Sequence, residues 1–219
     1  MLSTVFIKSS ELVQSQTRQA LRVQLPQDLP WVVMPYVDSA QAKATAAILA
    51  SRAGVKGVLL CVEDDERLGF IRVVNEIFLI SLCEYFTYLA QDAFPGRYWL
   101  DQAVKALNHS GKGLLAFNDG KWFGKLAAFG MVRRQWAVNN YGGALFHSGY
   151  KSHYADTELT LLAMEKMQLD YNPNAILMEI DYEKDKKPTT VSDKALFATR
   201  KSHGFEGKVS QLKVLNLFV

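Results

Sequence analysis

Cysteine is scarce in this 219-residue chain: there are two, Cys61 and Cys83, each set inside an apolar run. They make neither a disulfide framework nor a metal site, so they read as reduced core thiols and the chain as cytoplasmic. Charge of one sign is lacking as well. Lysine and arginine number 25 against 22 aspartates and glutamates, too even a balance to imply a nucleic-acid or anionic-membrane surface. The aromatic residues are not interleaved with a basic patch, so no RNA platform is read. No long hydrophobic run goes unbroken: across residues 69–94, Arg72, Asn75, Glu76, Glu84 and Asp92 interrupt it, which marks protein core and not a membrane span. The opening MLSTVFIKSSELVQ has a short apolar piece and no cleavage signature, so no secretory signal is expected. A glycine-rich, lysine-containing phosphate loop near the first strand is missing, as are internal repeats.

What is present is hydrophobic residues, 49% of the chain, enough for one domain with a sizeable core. Residues 1–29 read as a lead-in with a short edge strand at 5–7 and a helix at 11–21, and residues 30–219 as the domain. WVVMPY at 31–36 and KGVLLCV at 56–62 have the length and composition of buried strands. Between them AQAKATAAILASRAG places Ala42, Ala46, Leu49 and Ala53 at helical spacing, with Asp38 and Ser39 as N-caps. That is a β-α-β unit, which requires parallel pairing and a right-handed crossover. Further strands are predicted at 85–89, 114–117, 126–132 and 175–180, and helices beginning near Asn75 and spanning 99–108, from Ala155 onward, and 193–201. The fold class is therefore α/β, with a mostly parallel central sheet flanked by helices.

Acids stand where strands stop. The run 85–89 is broken at once by Gln91, Asp92, Pro95 and Gly96, and the second strand runs out into Glu63, Asp64, Asp65 and Glu66. In open α/β sheets ligands bind outside the carboxyl ends of the strands. Asp156 and Glu158 form a third group in the first turn of a helix, where acid suits the helix dipole. Any one of these acids is equally an ordinary turn or cap residue. Their order is the stronger signal, because it matches one acid for a nucleotide, one for a metal and one for a proton.

With these pieces the sequence resembles the nucleotide-sugar glycosyltransferases of the GT-A fold, particularly the family 2-like enzymes. WVVMPYVD, LLCVEDD, GFIRVVNEIFLISLCEYFTYLAQDAFP and YADTELTLLAMEKM carry the resemblance. It implies transfer of a sugar from a nucleoside-diphosphate sugar to an acceptor hydroxyl, with inversion and with Mn2+ or Mg2+. It implies Asp38, Asp64, Asp65, Asn75, Asp92 and Arg200 as donor-side residues, Asp64 at the nucleobase or ribose and Arg200 at the phosphates. Asp92 would hold the metal, with Asp181 completing its site as a hard oxygen ligand beside Glu179. Asp156 or Glu158 would take the acceptor proton; residues two apart on a helix diverge, so spacing leaves the choice open, with Asp156 first.

The chain departs from the family where paired acids usually stand, having Ala90 and Gln91 before Asp92. A non-catalytic nucleotide-sugar-binding or scaffold protein is one rival reading, and a nucleotidyltransferase another. His147 and His153 flank GYKS in a loop that could line an acceptor pocket or bind a metal, and Tyr141, Gly142 and Gly143 could form a loop beside the acceptor. Trp122 and Trp136 could offer a face to a sugar, though both are equally suited to a core. The acceptor itself (glycan, lipid-linked sugar, protein or modified nucleic acid) is not legible.

Overall fold

The computed structural model describes residues 1–180 and 190–218. Asp181 and the charged EKDKKP stretch lie outside the described residues. The strands are β1 (Leu2–Lys8), β2 (Trp31–Tyr36), β3 (Gly57–Glu63), β4 (Tyr85–Tyr88), β5 (Ala93–Pro95), β6 (Leu114–Asn118), β7 (Gly130–Arg133) and β8 (Leu169–Glu179). The helices that cover them include α1 (Ser9–Leu12), α2 (Ser15–Gln24), α3 (Ser39–Arg52), α4 (Phe70–Ile80), α5 (Trp99–Ser110), α6 (Arg134–Ala137), α7 (Ala155–Glu165) and α8 (Val191–Ser202).

Among the described residues the strands form one sheet in the order β1-β3-β2-β4-β7-β6-β8-β5. The pairings run parallel from β1 to β4, and β7 is antiparallel to both β4 and β6. β8 pairs parallel with β6, and β5 antiparallel with β8. All strands but β5 and β7 therefore point the same way, as the mostly parallel expectation requires.

Alternation along each strand explains the layering. Trp31, Val33, Val58, Leu60, Phe86, Tyr88, Leu114 and Ala116 face one core, covered by α4 and α7. Val32, Met34, Leu59, Cys61, Leu115 and Phe117 face the other, covered by α3 and α5. A strand buried on both sides needs apolar residues at every position, which is why these runs are continuous in the sequence. Cys61 and Cys83 are buried free thiols, and burial pushes the Cys61 thiol up to about 12.

Of the elements that differ from expectation, three do so for evident local reasons. α4 begins at Phe70, so Asn75 sits in its middle and not at its start. β7 begins only at Gly130, because the backbone of Ala127 is taken by side chains: its N–H donates to Thr160 Oγ1 and its carbonyl accepts from the Tyr88 hydroxyl. β8 begins already at Leu169; a register irregularity between Ala116 and Asn118 carries it past Asn172, Pro173 and Asn174, whose composition hides a strand.

Candidate functional site

The co-directional strands deliver their carboxyl ends to one edge of the sheet, and proline opens that edge. β2 pairs with β3 along its full length, Trp31↔Val58 to Tyr36↔Glu63, but its pairing with β4 ends at Val33↔Tyr88. Pro35 comes two residues later and has no N–H to offer a ladder. The chain also reverses its direction of progress here, stepping from β2 outward to β3 and then back across to β4, the arrangement that leaves a crevice in open α/β sheets. Gln91 bridges the parting strands: its side-chain carbonyl accepts from the N–H groups of Val37 and Asp38 at 2.7 and 3.1 Å, and its amide donates to Gln41.

Asp92 follows on the same turn and is 3% exposed. Its backbone carbonyl accepts from the Ile180 N–H at 3.1 Å, which ties the turn to the end of β8. Glu179 lies opposite Ala93 in the β5–β8 pair, so Asp92 and Glu179 reach the edge side by side.

Asp156 arrives from the other layer, in the first turn of α7. Burial is the main force on its carboxyl and pushes it up to about 6. Hydrogen bonds from the N–H groups of Thr157 and of Asp156 itself, and from the Thr157 hydroxyl, pull the other way, while the charge of Glu179 adds to the rise. The Tyr88 phenol, held well above its ordinary value by burial, also feels Asp156. Asp156, Glu179 and Tyr88 thus share one electrostatic neighbourhood built from α7, β8 and the end of β4.

Glu158, two residues along α7, faces elsewhere. It has no exposed surface. Oε2 accepts from Arg200 Nε at 2.8 Å and Oε1 from Arg200 Nη2 at 2.7 Å. The hydroxyls of Tyr141 and Tyr150 donate to Oε1 and Oε2 at 2.9 and 2.8 Å. A carboxylate with about four acceptor sites is then fully engaged and has none left for an acceptor hydroxyl. Arg200 spends its third nitrogen on Glu206, at 2.8 Å, so its guanidinium is equally committed.

The other expected donor-side residues hold backbone. Asp38 caps α3 through the N–H groups of Ala40 and Gln41, at 2.9 and 3.0 Å. Asp64 accepts from Leu68 N–H and Gly69 N–H at 2.7 and 2.9 Å and sets the entry to α4. Asp65 accepts from the Ser10 hydroxyl and N–H and from the Ser9 hydroxyl, which holds its carboxyl down at about 2. Asn75 is buried inside α4, donating to the Phe146 carbonyl at 3.0 Å and accepting from the Phe146 N–H at 2.9 Å. Asp38 and Asp64 lie on the crevice edge; Asn75 does not.

His147 and the tryptophans are engaged in packing, whereas His153 is exposed, its Nδ1 3.2 Å from the Thr190 hydroxyl. His147 accepts from the Gly149 N–H at 3.2 Å between the rings of Tyr141 and Tyr150, and burial lowers its proton affinity. Trp136 lies so close over Gly113 that a β-carbon there would overlap its indole. Trp122 packs edge-on against Phe218.

Two buried acids were not picked out by sequence reasoning as site residues. Asp119, at the carboxyl end of β6, accepts from the N–H groups of Lys121 and Trp122; the Asn-Asp-Gly signal after an apolar run marked only a turn. Asp193, in the first turn of α8, was legible as a helix start and nothing more.

No family model matches the chain, and no curated protein sequence matches it either. Solved structures do. A mannosyltransferase from Pyrobaculum calidifontis, determined with GDP-Man and Mn2+, superposes with a TM-score of 0.54 at 13% identity, covering 89% of this chain and 77% of its own. Residues 1–349 of TarS from S. aureus, determined with UDP, give a TM-score of 0.55 at 12% identity, covering 84% of this chain and 76% of that 1–349 chain. The chain therefore has a Rossmann-like glycosyltransferase fold.

Proposed function

We propose that this protein is an inverting glycosyltransferase of the family 2-like kind, using a nucleoside-diphosphate sugar and an acceptor hydroxyl. The observation that carries the reading is Asp156: a half-buried carboxyl, raised to about 6, on the same sheet edge as Asp92 and Glu179. A general base works best with an affinity for protons near the working pH. In the proposed step Asp156 accepts the proton of the acceptor hydroxyl. The freed oxygen forms a bond to the anomeric carbon on the face away from the nucleotide, and the carbon–oxygen bond to the phosphate breaks, releasing nucleoside diphosphate. Glu158 has its lone pairs spent on Arg200 and two tyrosines and is not the base.

Mn2+ or Mg2+ is part of the expectation, and hard oxygen donors suit either. Asp92 is the single carboxylate on its turn, Gln91 being spent on the backbone of β2's end. Among the described residues, no group of three His, Cys, Asp or Glu side chains could hold a metal ion. The described side chains do not make a complete donor set, so no step is drawn through an ion. Among the described residues, no helix is long and apolar enough to cross a membrane.

The test is a thermal-shift and calorimetric screen of the protein against UDP, GDP, CDP and dTDP, each with and without Mn2+ or Mg2+. A shift with one nucleotide supports the reading and names the donor base; dependence of that shift on the metal, lost in Asp92→Asn, supports the metal role. The single acid at Asp92 specifically favours the rival of a binding protein without turnover, for which nucleotide would bind and no sugar would move. No shift with any nucleotide sinks both.

A further inference from the structure

The buried face of α8 is unusual in what it buries. Its buried residues are Asp193, Phe197 and Arg200, spaced four and three apart on one stripe of the helix, and two of them carry charge. Charges in such a place are costly unless each is paired. Here each of the three touches the same short stretch of chain. The Asp193 carboxylate, 1% exposed, accepts from three successive backbone N–H groups: Lys151 at 3.1 and 3.3 Å, Ser152 at 2.9 Å and His153 at 2.9 Å. The Phe197 ring stacks on Tyr154, with centroids 4.9 Å apart and planes at 22°. Arg200 grips Glu158 through two nitrogens.

These contacts fall on residues 151–158 and surround Asp156 on both sides in sequence. The residue at the hinge between loop and helix is strained. Tyr154, the N-cap of α7, sits at φ 67 and ψ −9, a left-handed conformation that a tyrosine holds only where its surroundings over-determine it. Asp193 fixes the amides before it, Phe197 fixes its ring, and Arg200 fixes the turn after it.

We infer that Asp193, Phe197 and Arg200 are positioning residues, and that this face of α8 is a three-point clasp that sets the first turn of α7 and with it the Asp156 carboxylate. The clasp takes its catalytic meaning from the reading of Asp156 as the base. None of its members touches the reacting atoms; they act through the backbone that carries Asp156. A displacement of even an ångström or so would break a near-attack geometry while leaving the nucleotide edge of β2 and β3 untouched.

The experiment compares the full chain with Asp193→Asn, Phe197→Ala and Phe197→Tyr. Three readouts are taken: amide hydrogen exchange, calorimetric binding of the nucleoside diphosphate, and kcat and KM for transfer. Asp193→Asn and Phe197→Ala are expected to speed exchange at residues 155–158 while β2 and β3 stay protected. Both should lower kcat by about tenfold or more, with nucleotide affinity and donor KM unchanged. Phe197→Tyr keeps the stacked ring and is expected to behave as the parent. If Phe197→Ala does not fold, Asp193→Asn alone carries the comparison. Unchanged exchange at 155–158, or a uniform rise over the whole chain, overturns the clasp; so does unchanged kcat in an enzyme whose first turn has loosened. Should the parent protein transfer no sugar, the glycosyltransferase reading fails, and the exchange measurement still decides the clasp.

Discussion

Glu158 and Arg200 meet side-on, two nitrogens to two oxygens at 2.8 and 2.7 Å, with no part of the carboxylate exposed. The pair joins α7 to α8, and two tyrosine hydroxyls complete it. Its neighbours feel the charge: the Glu206 carboxyl is held down at about 2, chiefly by its hydrogen bond from Arg200.

Removing one partner strips the other of its buried counter-charge. Arg200→Met and Glu158→Gln are each expected to cost about 3–5 kcal/mol of stability, read by urea unfolding. The double change Glu158→Leu with Arg200→Met should cost markedly less than the sum, because no charge is stranded. Additive losses would show that the two residues are not coupled.

Asp156 predicts a pH effect on stability with a definite sign. Its carboxyl is raised from 3.8 to about 6 in the fold, so between those values the folded chain keeps a proton that the unfolded chain has lost. Stability from this group therefore falls as pH rises through that window, by as much as about 3 kcal/mol, and stays reduced at pH 7. Asp156→Asn should remove that fall and melt higher at pH 7 than the parent. Its turnover should drop by about 10²–10⁴-fold with nucleotide binding unchanged. Normal turnover in the variant would sink the base assignment.

Asn75 should matter for the fold alone. Its side chain meets both the N–H and the carbonyl of Phe146, and Asn75→Ala strands both groups in the core. A loss of about 2–4 kcal/mol is expected, with nucleotide affinity of the folded fraction unchanged in calorimetry. Weaker nucleotide binding in fully folded variant would return Asn75 to the donor site.

Gly130 is predicted to be intolerant. A methyl group there would overlap the Tyr88 hydroxyl, which is fixed by its bond to the Ala127 carbonyl at 2.7 Å. Gly130→Ala should cost about 1–3 kcal/mol and, by shifting Tyr88, lower turnover as well as melting temperature. Parental stability in the Gly130→Ala variant would mean that β4 and β7 can part without loss.

The layers of this protein were legible because a strand buried on both faces must be apolar at every position. WVVMPY and VLLCV announce themselves, and Asp38 before an alanine-rich run announces a capped helix. The polar half of the fold was not legible by the same means. Asn172, Pro173 and Asn174 lie within β8, where a bulge, not a pattern, keeps the strand going. Asp193, Phe197 and Arg200 make no apolar stripe, so nothing in the helix predicted over 193–201 marked that face as buried.

The sequence alone determined that there is a mostly parallel sheet between helices and that acids stand at its strand ends, since burial and chain reversal act on neighbours in sequence. It did not determine what each acid is for. Asp64, Asp65 and Asp38 hold backbone amides, Glu158 is consumed by an arginine 42 residues away, and Asp156 alone of its pair lies beside Glu179 and Tyr88. Those outcomes depend on which donors come within about 3 Å of an oxygen, and only the packing of distant elements sets that distance.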